Sequence, residues 1–210
     1  MSFILSISYA IIEDVKHIRQ TKSALIAYYY FDFKDVAKRY FRGLLSSLLT
    51  QLGDESDQWW SVLSRLYSTY RDGSEQPSEA APTQCLKSML ELPGQVPIYI
   101  IVDALDECPN NIGTPSARKK ALMFVNDLIG WKHPNLHMCI ISRPEQDIQA
   151  TLTPLTSISR RVSIHEEGGQ REDIKNYIRS FVFTDESMRR WRAEDKGLVI
   201  NTLSERAKGM

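Results

Sequence analysis

The feature that most constrains this chain is a fully apolar run over residues 98–102 that ends on Asp103. The run shows no polar alternation, so the strand it forms has to be buried on both faces. A second run of this kind covers residues 136–141 and ends in Ser142-Arg143-Pro144, and residues 25–31 (LIAYYYF) are aromatic and apolar throughout. A shorter strand is expected over residues 161–165. Helical patterns separate these runs. Buried strands alternating with helices predict an α/β fold with a mostly parallel sheet flanked by helices.

The clearest helix is expected to open at Asp35. Its apolar stripe comprises Val36, Tyr40, Phe41, Leu44, Leu45, Leu48, Leu49 and Leu52, with Gly53 as the stop. A second helix spans residues 57–70, where the adjacent Trp59 and Trp60 cannot face the same way. Residues 71–82 read as an exposed loop and residues 83–92 as a short helix. Ser116 is expected to cap a helix carrying Leu122, Val125, Leu128 and Ile129 on one face. Further helices are expected over residues 11–18, after Gly168-Gly169, and over residues 195–208. Arg189, Arg190 and Arg192 read as a solvated face.

Composition removes several function classes. The 42% hydrophobic and 25% charged content argues against wholesale disorder. The balance of 26 Lys+Arg against 26 Asp+Glu argues against a nucleic-acid binder working by bulk electrostatics. No run reaches the ~18 apolar residues of a membrane helix. Cys85, Cys108 and Cys139 are odd in number and form no C-x-x-C pair, which points to a reducing, cytoplasmic setting. His133 and His137 are four apart, but Pro134 between them argues against a helical metal pair.

Ligands of open α/β sheets sit at the carboxyl ends of the strands. There the segment IYIIVDALDEC sets Asp103, Asp106 and Glu107 on one sheet edge. An Asp directly after a buried strand is placed to hold Mg²⁺ through water, and a carboxylate just beyond it can position a hydrolytic water. On spacing alone, a plain turn-capping role for Asp103 or Asp106 stands beside that one. At the next strand end, Ser142 and Arg143 could sense a γ-phosphate, or could simply open a turn where Pro144 breaks the strand. There is no G-x-S-x-G elbow and no Ser/His/Asp set at strand ends, which argues against a hydrolase of another kind.

Together with RGLLSSLLTQL (residues 42–52), LSRLYS (63–68) and EEGGQREDIKNYI (166–178), the boxes PIYIIVDALDECP and IISRPEQDI resemble the NACHT-type signal-transduction (STAND) P-loop NTPases of filamentous fungi and mushrooms. These are grouped with a nephrocystin-3-like N-terminal domain. The resemblance implies a P-loop α/β core that acts as an ATP- or GTP-driven switch with Mg²⁺. Within it, Asp103 matches the Walker B aspartate that supports Mg²⁺. Asp106 and Glu107 match the following acidic positions, one of which would orient water. Arg143, with Ser142, matches the sensor at the next strand end. Flanking effector and repeat domains, and a change of oligomeric state on nucleotide exchange, belong to the same expectation.

The sequence departs from that pattern at the phosphate loop. G-x-x-x-x-G-K-[ST] needs a Gly-Lys pair, and none of the ten glycines is followed by Lys. The loop's N–H groups and Lys normally cradle the β- and γ-phosphates. The expectation is therefore a single partial domain over residues 1–210, truncated at both ends, with the first strand and phosphate loop missing. Residues 3–7 could fill only part of that place. Such a module would not hydrolyse nucleotide by itself, and nucleotide binding is in doubt. It would act through protein partners or self-association, with no nucleic acid and no membrane. The alternative is an active ATP- or GTP-hydrolysing switch whose phosphate loop is encoded upstream.

Overall fold

A computed structural model describes residues 24–92, 96–111, 113–156, 160 and 169–206. The chain divides into two compact units, Met1–Leu155 and Thr156–Met210. The strand expected over residues 161–165, the helix expected over 11–18, the segment 3–7 and Gly168 lie outside the described residues.

In the first unit, β1 (Leu25–Tyr30), β2 (Ile98–Asp103) and β3 (Leu136–Ile140) form a parallel sheet in the order β1-β2-β3. The register pairs Tyr30 with Asp103 and Val102 with Ile140, so the three carboxyl ends lie side by side. Helices flank the sheet: α1 (Phe41–Gly53), α2 (Asp57–Thr69), α3 (Ala80–Leu90), α4 (Ala117–Gly130) and α5 (Gln146–Leu152). The expected α/β class and parallel, helix-flanked sheet are present, an arrangement consistent with a partial P-loop-like core.

The absence of polar alternation in β1 and β2 has a direct structural cause. Ala27, Tyr29, Ile98, Ile100 and Val102 face a core shared with α1, α3 and α4. Ile26 and Ile101 are buried on the opposite face, with Tyr28, Tyr30, Tyr99 and Cys139 packed around them. β3 departs from expectation: its residues are half-buried and His137 is exposed. The His137 ring stacks on Tyr99, with ring centroids 4.9 Å apart.

The stripe in residues 36–52 divides in two. Asp35 accepts a hydrogen bond from the Ala37 N–H and caps only one 3₁₀ turn, Val36–Lys38. The chain is extended again at Tyr40, and α1 starts at Phe41. Val36 therefore stands in solvent, 68% exposed, while Leu44, Leu45, Leu48 and Leu52 are fully buried. Gly53 is the last helical residue rather than a stop beyond it, and Leu63 packs against it. On α2, capped by Ser56, Trp59 is buried and Trp60 exposed. α3 begins at Ala80, ahead of the expected residue 83, because Pro82 falls in its first turn, where a missing N–H costs nothing.

β1 is at an edge of the sheet among the described residues. Gln51 on α1 serves it as a short surrogate strand. Its Oε1 accepts from the Tyr28 N–H at 3.1 Å, and its Nε2 donates to the Tyr28 carbonyl at 2.8 Å. Bare strand edges are templates for unwanted pairing, so a tethered amide is a useful cover. Gln51→Ala removes both bonds and is expected to cost about 1–3 kcal/mol, read as a lower urea midpoint.

The second unit contains α6 (Gly169–Thr184) and α7 (Ala193–Arg206), which pack on each other. Val182, Lys196, Ile200 and Ser204 are buried, and the Lys196 ammonium lies 5.1 Å from the centre of the Phe183 ring. Tyr177 and Phe181 are exposed. Arg189, Arg190 and Arg192 are exposed between the two helices.

Candidate functional site

Asp103 closes the central strand and is 1% exposed. Its Oδ1 accepts from the next backbone N–H, that of Ala104, at 2.7 Å. Ala104 lies in the left-handed region at φ 53° and ψ 41°. For a residue with a Cβ this costs roughly 1–2 kcal/mol, and such conformations persist where their surroundings hold them. The surroundings are visible. Leu105 and Cys108 are fully buried, and the Leu105 N–H donates to the Ile141 carbonyl at 3.3 Å. The reversal at Ala104 starts the 3₁₀ turn Leu105–Glu107, which carries the other two carboxylates.

Those carboxylates diverge. Asp106 Oδ1 accepts from the Arg143 N–H at 3.0 Å and lies 3.3 Å from the Ser142 hydroxyl, whose shorter acceptor is the Arg143 carbonyl at 2.9 Å. Its Oδ2 lies 3.6 Å from Arg143 Nε. Glu107 Oε2 reaches the other way, to the Phe33 N–H in the segment after β1, at 3.3 Å. Arg39 completes the hold on Phe33, donating to its carbonyl from Nε at 3.0 Å and from Nη2 at 2.8 Å. A shallow cleft of about 390 Å³ lies here, lined by Phe33, Arg39, Asp106, Glu107, Asn110 and Arg118.

The structure thus brings Asp106, Ser142 and Arg143 into direct contact. Glu107 is directed away from them, and Asp103 lies beneath the turn. The charge of Asp103 is felt at Cys139, whose thiol is pushed up by burial and then by that carboxylate. Arg143 keeps most of its side chain in solvent, 68% exposed.

A Mg²⁺ ion usually takes one or two carboxylates and keeps several waters. Asp103 is buried with one oxygen on the Ala104 N–H, and Asp106 and Glu107 each accept a backbone N–H on one oxygen. Among the described residues no group of three or more His, Cys, Asp or Glu is placed to hold a metal ion.

Arg118 escaped the sequence reading. Its side chain is 12% exposed, and the guanidinium donates to the Cys108 carbonyl at 2.8 Å and to the Asp106 carbonyl at 2.5 Å. It also donates to Asp147 Oδ1 on α5 at 3.3 Å. One signal could have exposed it. Helix first turns favour acidic residues, yet α4 begins Ala-Arg-Lys-Lys. Ser116 caps that helix as expected, accepting from the Lys119 N–H at 3.2 Å.

Burial pushes the neighbouring Cys108 thiol up to about 12, with the Arg118 charge offsetting only part of the rise. Below the ordinary thiol range near ~8.5, the group is neutral whether the chain is folded or not. As pH climbs from that range towards 12 the unfolded chain ionises first, so folding stability falls. Cys85 and Cys139 shift in the same direction. Cys108→Ala is therefore expected to make the alkaline fall in stability shallower without abolishing it, as read from urea midpoints on either side of that window.

A family model described as Nephrocystin 3, N-terminal matches residues 6–143. No curated protein and no solved structure matches the chain.

Proposed function

The chain belongs to the nephrocystin 3 N-terminal family, and from that premise we propose that it is a module of a NACHT-type (STAND) signalling switch that does not hydrolyse nucleotide by itself. It works instead through protein contact, with a partner or with a second copy. The observation that carries this reading is the lack of any Gly-Lys pair in the 210 residues, which the phosphate loop requires. Asp106 is bonded to Ser142 and Arg143, Glu107 to the Phe33 N–H, and Asp103 to the Ala104 N–H. The acidic strand end is thus engaged within the fold, although each carboxylate keeps further lone pairs. In this proposal Asp103 retains the Walker B position and Arg143 the sensor position, as architecture. ATP or GTP with Mg²⁺ is what the NACHT resemblance implies for the wider switch. Three free thiols accord with a cytoplasmic setting. No helix among the described residues is long and apolar enough to cross a membrane.

The test is a titration of the purified chain with a fluorescent ATP analogue in the presence of Mg²⁺. No saturable binding is expected. Micromolar affinity that Asp103→Asn abolishes would overturn the proposal in favour of an active ATP- or GTP-hydrolysing switch.

A further inference from the structure

We propose that the turn after β2 is a clamp coupling the three strand ends, with Asp106 and Glu107 as its two jaws and Arg118 as the positioning residue that aims them. Successive residues of a 3₁₀ turn project about a third of a revolution apart, so neighbouring carboxylates cannot serve one target. Asp106 accordingly takes the segment after β3 through the Arg143 N–H and the Ser142 hydroxyl. Glu107 takes the segment after β1 through the Phe33 N–H. Because β2 lies between β1 and β3, a turn at its end is the one place from which both neighbours can be reached.

The aim of each carboxylate depends on the backbone that bears it. Arg118 bonds the carbonyls of Asp106 and Cys108, on either side of Glu107. A planar guanidinium fork holds two such carbonyls in a fixed relation, which a lysine ammonium cannot do. The third contact, to Asp147, ties the fork to α5, which starts three residues after Arg143. One half-buried side chain thus bonds the central turn and links it to the helix that follows β3. Leu105 and Cys108 fill the core beneath the turn and hold its two ends. The clamp goes beyond the switch reading. It concerns this chain's own bonds and does not depend on whether a nucleotide binds.

Amide hydrogen exchange of the 210-residue chain, resolved at the Phe33 and Arg143 N–H groups, tests it. Asp106→Ala is expected to speed exchange at Arg143 at least about ten-fold, as loss of a charge-assisted bond implies, and to leave Phe33 unchanged. Glu107→Ala is expected to do the reverse. Arg118→Ala should speed both amides, and Arg118→Lys should fail to restore them. Leu128→Ala, a cavity on the same helix, lowers stability without touching the turn and should leave both amides protected relative to the rest of the sheet. The clamp is overturned if Arg118→Ala leaves both amides slow, if Arg118→Lys protects them fully, or if Leu128→Ala releases them as much as Arg118→Ala at matched stability. These outcomes are independent of the nucleotide titration, so either proposal can fail alone.

Discussion

Leu48→Ala is expected to destabilise the fold by about 2–5 kcal/mol, the range for removing three buried carbons and leaving a cavity. Leu48 is 0% exposed and sits among Leu44, Leu45 and Leu52 on the buried stripe of α1, facing the same core as Ile100 of the central strand. Its neighbours are fixed by a close-packed interior, so the hole can collapse only in part. Urea denaturation reads the loss as a lower midpoint with an unchanged slope. Val36→Ala is the matched comparison. The helical pattern set Val36 on the same stripe, but it stands in solvent, and its truncation should fall within about 0.5 kcal/mol of neutral. Equal losses at the two positions would mean that the stripe is continuous and that α1 begins earlier than Phe41.

Gly43→Ala is expected to lower stability by about 1–3 kcal/mol even though alanine is the better helix former by roughly 1 kcal/mol. A Cβ at Gly43 would collide with the Ala37 carbonyl oxygen and the Tyr29 hydroxyl. Those two atoms bond each other at 3.4 Å, so the segment after β1 crosses directly over the first turn of α1. A backbone carbonyl cannot swing aside as the tip of a flexible side chain can, and valine should therefore cost more than alanine. Gly130→Ala gives the opposite sign. Nothing lies within 4 Å of a Cβ there, and Gly130 closes α4 without a left-handed backbone. It is expected to gain about 0.4–1 kcal/mol by restricting the unfolded chain. Thermal melts of the three variants give the order directly.

Much of the fold was legible because its signals are local. The β-branched run over residues 98–102 admits little but a buried strand, and the structure places it at the centre of the sheet. Ser116 before a helical pattern is an N-cap by side-chain chemistry alone. The side-by-side Trp59 and Trp60 had to divide between core and solvent, and they do. The short helix α5 was missed because its seven residues follow Pro144 and bury only Ile148. The half-exposure of β3 was missed because an apolar strand reads the same whether or not both its faces are covered.

Around the candidate site, the sequence could set Asp103, Asp106, Glu107, Ser142 and Arg143 at strand ends. It could not say which would touch. Asp106 meets Arg143 across 37 positions of chain and Glu107 meets Phe33 across 74. Spacing carries no information about such pairs. Arg118 is invisible for the same reason, since its bonds go to carbonyls that every residue possesses.

What the sequence determined by itself is the alternation of buried strands with amphipathic helices, and with it an α/β sheet whose central strand ends in carboxylates. Periodicity and burial fix that much, because each depends on side chains a few positions apart. The tertiary structure alone decided that Asp106 and Glu107 bond the neighbouring strand ends, that Arg118 aims them, and that Gly43 must lack a side chain. Each of these depends on a distance between segments remote in the chain, and such distances exist only once the core has packed.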